Sequence, residues 1–218
     1  MERSKRTLPA IMKSEYESIQ LSENPIQSFL SWLKNAESAG VPDPIAMTLA
    51  TATQDGEPNA RVVLFKGVSP SPMSKREGID FYTNYTSPKS HELEENPRAT
   101  AVFYWAPLLR QVRISGRVEK MDADASANYF KTRPRGSQIG AWASPQSEKI
   151  GSRHDLDERV KQKESEYSGQ EVPCPPFWGG WRLVPDKVEF WHGQKDRLHD
   201  RFLYEWNEDH WQISRMAP

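Results

Sequence analysis

The stretch RLHDR, residues 197–201, sets two arginines, a histidine and an aspartate within five positions. On an extended strand, Arg197, His199 and Arg201 would share one face and Leu198 and Asp200 the other. Three potential cations on one face repel unless an anion sits there. An anionic ligand or partner is therefore expected, with Asp200 as an ion-pair or hydrogen-bond partner on the opposite side. Three further stretches combine cations with hydroxyls. In RVVLFK (61–66), alternation sends Arg61, Val63 and Phe65 one way and Val62, Leu64 and Lys66 the other. Such a strand could hold an anion at each end, or its long side chains could simply snorkel from an apolar surface. In YTNYTSPKSHE (82–92), Ser87 and Pro88 open a helix whose free N–H groups and positive dipole end suit phosphate, and Lys89 adds charge. A plain helix start is the alternative. In YFKTRPRGSQIGAW (129–142), Tyr129 and Arg133 share a face if both are helical, and Ser137 follows a Pro/Gly break. A bidentate cation with two hydroxyl donors suits a phosphate monoester. Basic residues closing a helix C-terminus are the plainer reading.

These residues must be carried by strands and short helices. Residues 23–40 predict a helix with Asn24 as N-cap, Pro25 in the first turn, an apolar stripe of Ile26, Phe29, Leu30 and Leu33, and Gly40 as the stop. Strand patterns run over 46–53, 60–67, 78–85, 99–106, 110–121, 186–193, 200–206 and 210–216, with Asp55-Gly56 as a hairpin turn. Short helices are expected over 87–97, 122–134 (ended by Pro134) and 154–169. Residues 1–22 read as a polar arm with weak order of its own, and 23–218 as a single domain. Many antiparallel strands with few helices favour a mainly β, barrel-like fold with helical additions.

The composition narrows the function classes. The chain has 218 residues, 36% hydrophobic and 27% charged, as an ordinary globular protein does. A net charge of −1 argues against a nucleic-acid partner or an anionic membrane surface. The single cysteine, Cys174, excludes an intrachain disulfide, and no ligand spacing for a metal is present. The N-terminus lacks an apolar leader core, and no window reaches the roughly 18 apolar residues of a membrane span. A cytoplasmic, non-membrane protein is expected. No G-x-x-x-x-G-K-S/T, G-x-G-x-x-G, H-E-x-x-H or G-x-S-x-G pattern occurs, so any chemistry rests on dispersed side chains. Several anion-holding groups on a chain of almost no net charge fit small phosphate-bearing ligands better than a polymer.

Taken together, RVVLFKG, FYTNYTSPK, ENPRA, FYW, RQVRISG, YFKTRPRGSQIGAWASPQS, FWGGWRLVPDKVEFWHG, RLHDRFLY and RMAP resemble the pyridoxamine (pyridoxine) 5′-phosphate oxidase family, from about residue 42 to the C-terminus. The resemblance implies an antiparallel, Greek-key-like FMN-binding split β-barrel with peripheral helices, working as a homodimer with FMN at the subunit interface. It implies oxidation of pyridoxamine or pyridoxine 5′-phosphate to pyridoxal 5′-phosphate by hydride transfer from C4′ to flavin N5. O₂ accepts the electrons and gives H₂O₂. FMN contacts are implied for Arg61, Val62, Val63, Leu64, Phe65, Lys66, Tyr82, Thr83, Lys89, Gln111, Gln146, Ser147, Trp191 and Arg201. Substrate contacts are implied for Lys66, Tyr129, Arg133, Ser137, Arg197 and His199, with Arg197 and His199 catalytic and His199 able to accept or relay a proton. The alternatives are a related FMN oxidase of another reduced ring, of the phenazine-pathway type, and a non-catalytic protein that only binds flavin or pyridoxal phosphate. Three positions depart from the family pattern. Pro88 stands where an arginine is usual, implying one fewer cation near the FMN phosphate. His192 follows Trp191 where Gln is common. In the arm, Arg6 corresponds to the family's substrate-covering Arg, but Pro9 falls near its Tyr and Tyr16 is out of register, so an altered or absent substrate lid is expected.

Overall fold

Asn24 does what its position predicts: its Oδ1 accepts the Ile26 N–H at 2.9 Å and starts helix α1 (Pro25–Ser38), with Pro25 in the first turn. The computed structural model describes residue 19, residues 21–74 and residues 76–218. Arg6, Pro9 and Tyr16, and with them the expected lid, lie outside the described residues. After α1 come strands β1 (Ala46–Ala52), β2 (Pro58–Leu64), β3 (Gly67–Pro70) and β4 (Glu77–Asn84), then helix α2 (Pro88–Glu95). Strands β5 (Arg98–Trp105) and β6 (Arg110–Lys120) lead to helices α3 (Ala123–Thr132), α4 (Arg135–Ala143) and α5 (Arg153–Glu166). Strands β7 (Trp178–His192), β8 (Asp200–Asn207) and β9 (His210–Arg215) finish the chain. Strand pairing follows β2-β1-β5-β6-β7-β4-β3, with β8 on β7 and β9 on β8. The pairs β1–β2, β1–β5, β3–β4, β4–β7, β7–β8 and β8–β9 are antiparallel. The path ends at β2 and β3 and does not close, so the expected mainly antiparallel architecture is open. Among the described residues no helix is long and apolar enough to cross a membrane.

The chain divides into two compact units. A terminal unit comprises the chain up to Ile45 with Phe103–Ile114 and Lys187–Pro218. A central unit comprises Ala46–Val102 and Ser115–Asp186.

In the terminal unit, α1 buries Ile26, Phe29, Trp32, Leu33 and Ala36. Leu30, expected in that stripe, is 39% exposed; it lies about 100° round the helix axis from the centre of the buried face. Phe29 meets Phe103 at 4.7 Å, and Trp32 meets Phe190 edge-on at 5.2 Å. The polar tips of this aromatic core end on backbone carbonyls. Trp32 Nε1 donates to the Ile19 carbonyl (3.0 Å), Trp105 Nε1 to that of Pro44 (2.9 Å) and the Tyr204 hydroxyl to that of Ser22 (2.7 Å).

The central unit buries Met47, Leu49, Ile79, Phe81, Leu93, Ala101, Trp181 and Leu183, with a satellite cluster of Phe130, Ile139, Val172 and Trp178. Strand β2 ends the pairing path, and its outward Val62 and Leu64 are exposed while Arg61 and Val63 are half-buried, as alternation requires. Across the β4–β7 pair, Asp80 stands opposite Arg182, and Arg182 donates to Asp80 (3.2 Å), Glu119 (3.1 Å) and Ser69 (2.8 Å). These buried charges hold β4 in register two residues before Tyr82 and three before Thr83. Gly116 of β6 lies against β7: a Cβ there would come within 2.0 Å of the Val184 carbonyl oxygen. Gly116→Ala is expected to lower unfolding stability by roughly 3 kcal/mol through backbone displacement. Urea unfolding measures it, and a wild-type midpoint would refute the close approach.

Candidate active site

Helix α2 begins at a deliberate junction. Ser87 occupies the N-cap position with extended backbone, but its hydroxyl donates to the Asn84 carbonyl (2.7 Å) instead of capping an N–H. That leaves the Ser87 oxygen free to accept from Lys89 Nζ at 2.9 Å. Nζ also donates to Thr83 Oγ1 (3.1 Å) and Gln146 Oε1 (3.0 Å), and Thr83 donates to the same Gln146 oxygen (2.9 Å). Lys89 is only 7% exposed. Its three acceptors are all neutral, and among the described residues no carboxylate is in hydrogen-bonding contact. Burial, with the Arg61 guanidinium nearby, lowers it to about 8 from the usual 10.5. A buried ammonium solvated by three uncharged oxygens is a cation prepared for an anion. Thr83, Lys89 and Gln146, separated by up to 63 residues, are thus brought together as expected.

Arg61 is engaged differently. Its Nη2 pairs with buried Glu92 of α2 at 3.2 Å, and Thr51 and Asn59 also bond this carboxylate. Glu92 therefore ties α2 to β1 and β2 and fixes the direction of Arg61. Lys66, after β2, is exposed, and its backbone N–H donates to the Asp80 carbonyl at 2.9 Å.

A second cluster forms around Trp178. Tyr82 of β4 stacks on Tyr129 of α3 (4.0 Å, 16°) and on Trp178 of β7 (5.3 Å, 11°). Gly180, opposite Tyr82 across β4–β7, leaves room for this ring: a Cβ there would come within 2.9 Å of it. Burial, aided by Asp80 and Tyr129, pushes the Tyr82 phenol up to about 12, so it remains a neutral donor. Arg133 lies one residue past α3 in extended conformation, with its guanidinium 4.7 Å over Trp178. Arg133, Ser137, Asn84, Ser144, Gln146 and Trp178 line one cavity of about 260 Å³. Arg133 Nη1 is buried without a hydrogen-bond partner among the described residues. An unsatisfied guanidinium nitrogen in a wall with a serine hydroxyl calls for an oxyanion. Arg135 supports this wall by donating to the carbonyls of Gln170 (2.9 Å) and Tyr167 (2.6 Å) beyond α5.

The terminal unit holds the remaining predicted residues. Only Arg201 of the three RLHDR cations lies on a strand. Asp196 and Arg197 both adopt left-handed backbone (φ 57° and 61°), so the chain turns through Lys195–Arg197 and enters β8 only at Asp200. The expected single face of Arg197, His199 and Arg201 therefore does not exist. Arg201 has a protein anion instead: Glu189, 5% exposed, accepts from Arg201 Nε (2.8 Å) and from Arg113 (2.5 Å). Asp200 pairs with Arg215 at 2.6 Å, the structural role anticipated for it. Trp191 packs against His199 (4.6 Å, 47°), while Arg197 is exposed. Gln111 is half-buried on β6. Ser147, in the central unit after α4, is exposed with φ 71°.

Four contributors escaped the sequence reading. Asn84 fell within the strand pattern 78–85 and Trp178 within a stretch quoted only for its resemblance, while Glu92 and Glu189 lay in quoted stretches with no role given to them. A buried acid beside a strand arginine becomes visible only once the strands are paired.

Comparison with known proteins agrees with this geometry. Residues 33–163 match a family model described as pyridoxamine 5′-phosphate oxidase, and residues 178–218 match one described as the pyridoxine 5′-phosphate oxidase C-terminal dimerisation region. A curated pyridoxine/pyridoxamine 5′-phosphate oxidase of Psychromonas ingrahamii is 46% identical over 204 residues, covering 94% of this chain and 91% of that protein. The protein of the same name from Trichormus variabilis is 48% identical over 201 residues, covering 92% and 91%. Among solved structures, PhzG from Burkholderia lata in complex with tetrahydrophenazine-1-carboxylic acid has a TM-score of 0.85 at 31% identity, covering 99% of this chain and all of that one. An FMN-binding protein from Nostoc punctiforme, related to pyridoxamine 5′-phosphate oxidase, shares the fold with a TM-score of 0.70 at 18% identity, covering 91% of this chain and all of that one.

Proposed function

The chain belongs to the pyridoxamine 5′-phosphate oxidase family and has its split-barrel fold, and from that membership we propose that it oxidises pyridoxamine 5′-phosphate and pyridoxine 5′-phosphate to pyridoxal 5′-phosphate with FMN as cofactor and O₂ as electron acceptor, giving H₂O₂. The observation that carries this reading is the unpartnered Nη1 of Arg133 in a cavity wall shared with Ser137. A phosphate monoester satisfies both groups. The C-terminal dimerisation region supports a homodimer.

FMN fits the residues present, because the buried Lys89 ammonium with only neutral acceptors suits its phosphate. When bound, FMN supplies the hydride acceptor. Lys89, Thr83 and Gln146 would hold its phosphate, with Arg61 aimed by Glu92. Val62 to Lys66, Tyr82, Gln111, Ser147, Trp191 and Arg201 are assigned to the rest of the cofactor by family resemblance. Arg133, Ser137, Tyr129 and Lys66 bind the substrate phosphate. This fixes the ring at a distance from its reacting carbon. Arg197 and His199 orient the ring.

Oxidation of a reduced tricyclic acid, suggested by the Burkholderia neighbour, is the second reading. The identities disfavour it: 46% and 48% to curated pyridoxine/pyridoxamine 5′-phosphate oxidases against 31% to that structure. The experiment is direct. The purified protein is examined for a flavin spectrum, given pyridoxamine 5′-phosphate in air, and assayed for pyridoxal 5′-phosphate and H₂O₂. Bound flavin without turnover would overturn the proposal.

Lys89 adds a pH signature. Its charged form is what a phosphate dianion pairs with, so FMN affinity should fall as pH rises through about 8. Between pH 8 and 10.5 the unfolded chain keeps the Lys89 proton that the unliganded fold gives up. The unliganded fold therefore gains stability over that window. Titration of the apoprotein with FMN at several pH values measures the first effect. A flat affinity across the window would count against Lys89 as the phosphate cation.

A further inference from the structure

We propose that His199 acts on the substrate as a hydrogen-bond donor through Nε2, held in that tautomer by the Gln194 backbone, and not as a proton acceptor. The proposal rests on the preceding reading that His199 faces the substrate ring.

The geometry decides the tautomer. The Gln194 backbone N–H donates to His199 Nδ1 at 3.1 Å. A backbone amide has only a hydrogen to offer, so Nδ1 must present its lone pair. A neutral imidazole carries one ring proton, which therefore sits on Nε2. An imidazolium would point a second N–H at the amide hydrogen and lose the contact.

The contact is built by the turn rather than by chance proximity. Left-handed Asp196 and Arg197 fold the chain back, and the Leu198 N–H bonds the Lys195 carbonyl at 3.1 Å, returning residue 199 to residue 194. Gln194 is itself anchored, since its Nε2 donates to Asp200 Oδ2 at 2.8 Å. Arg215 secures the other Asp200 oxygen at 2.6 Å. The His199 ring lies 4.6 Å from Trp191, and no partner takes Nε2 among the described residues. One edge of the ring is thus fixed to the backbone, one face packs on Trp191, and the remaining polar atom is a donor. Such a donor suits a substrate ring oxygen that carries negative charge. It cannot take the proton that the C4′ hydroxyl or amine loses on oxidation, and that proton leaves to water.

Two variants separate donor from base. Glutamine places an amide N–H₂ near the imidazole Nε2 position, whereas glutamate of the same length places only an acceptor there. His199→Gln should keep kcat/KM within about tenfold of wild type, and His199→Glu should lose about a hundredfold or more, the usual cost of removing a donor from developing negative charge. Long-range ¹H–¹⁵N correlation on the ¹⁵N-histidine-labelled holoenzyme, assigned by the signal lost in His199→Gln, should show Nε2 protonated and Nδ1 bare. A protonated Nδ1 at neutral ring charge, or a glutamate variant as active as the glutamine one, would overturn the proposal. Wild-type turnover of pyridoxamine 5′-phosphate tests the broader functional reading separately, and the spectrum reports the tautomer whatever that assay gives.

Discussion

Arg133→Ala will raise the KM for pyridoxamine 5′-phosphate by about tenfold to a hundredfold, the loss expected for hydrogen bonds between a guanidinium and a phosphate, while kcat changes little. The guanidinium lies over Trp178 at 4.7 Å and leaves Nη1 unpartnered. The bound phosphate completes this group in substrate and transition state alike, and uniform binding of that kind appears in KM rather than kcat. Arg133→Lys should recover only part of the loss, because an ammonium matches neither the planar stacking nor the bidentate geometry. The penalty should vanish for the unphosphorylated alcohol, which has nothing to offer Arg133. Steady-state kinetics with both substrates checks this, and an unchanged KM for the phosphorylated one would remove Arg133 from the pocket.

Lys89→Met will weaken FMN binding by about tenfold to a hundredfold, as loss of a charged hydrogen-bond donor does. It should also abolish the fall in affinity above about pH 8. The same change removes a buried cation that lacks a carboxylate partner, so the flavin-free protein should become more stable. Opposite signs in cofactor affinity and apoprotein stability mark a residue kept for its ligand. A variant that loses both, measured by FMN titration and by thermal unfolding of the apoprotein, would identify Lys89 as a structural cation instead. Pro88, which has no charge and no N–H, offers no substitute beside it.

Elements governed by local rules were legible in the sequence. Asn24-Pro25, the Asp55-Gly56 hairpin and the alternation of Arg61 to Phe65 all stand where spacing put them. The cluster of Thr83, Lys89 and Gln146 was legible through resemblance, and the shared cavity wall of Arg133 and Ser137 through residue type as well. Three features were not legible. Helix α4 was missed because Pro134 reads as a terminator, yet it ends α3 and sits at the N-cap of α4. The first half of β7 was missed because Gly179, Gly180 and Pro185 weaken any strand pattern, while in the fold Gly180 makes room for Tyr82. RLHDR was read as strand because nothing in side-chain alternation reveals that Asp196 and Arg197 turn left-handed.

Glu189 bears on how this sequence can drift. Its single buried carboxylate answers both Arg113 and Arg201. Replacing either arginine leaves the acid still partnered by the other, whereas replacing the acid takes an ion-pair partner from two arginines at once. Substitutions here are therefore coupled: losing Glu189 should cost less once Arg113 has already gone. The cost of each step depends on which neighbours have already gone, so this corner of the molecule should show strong epistasis in a combinatorial library.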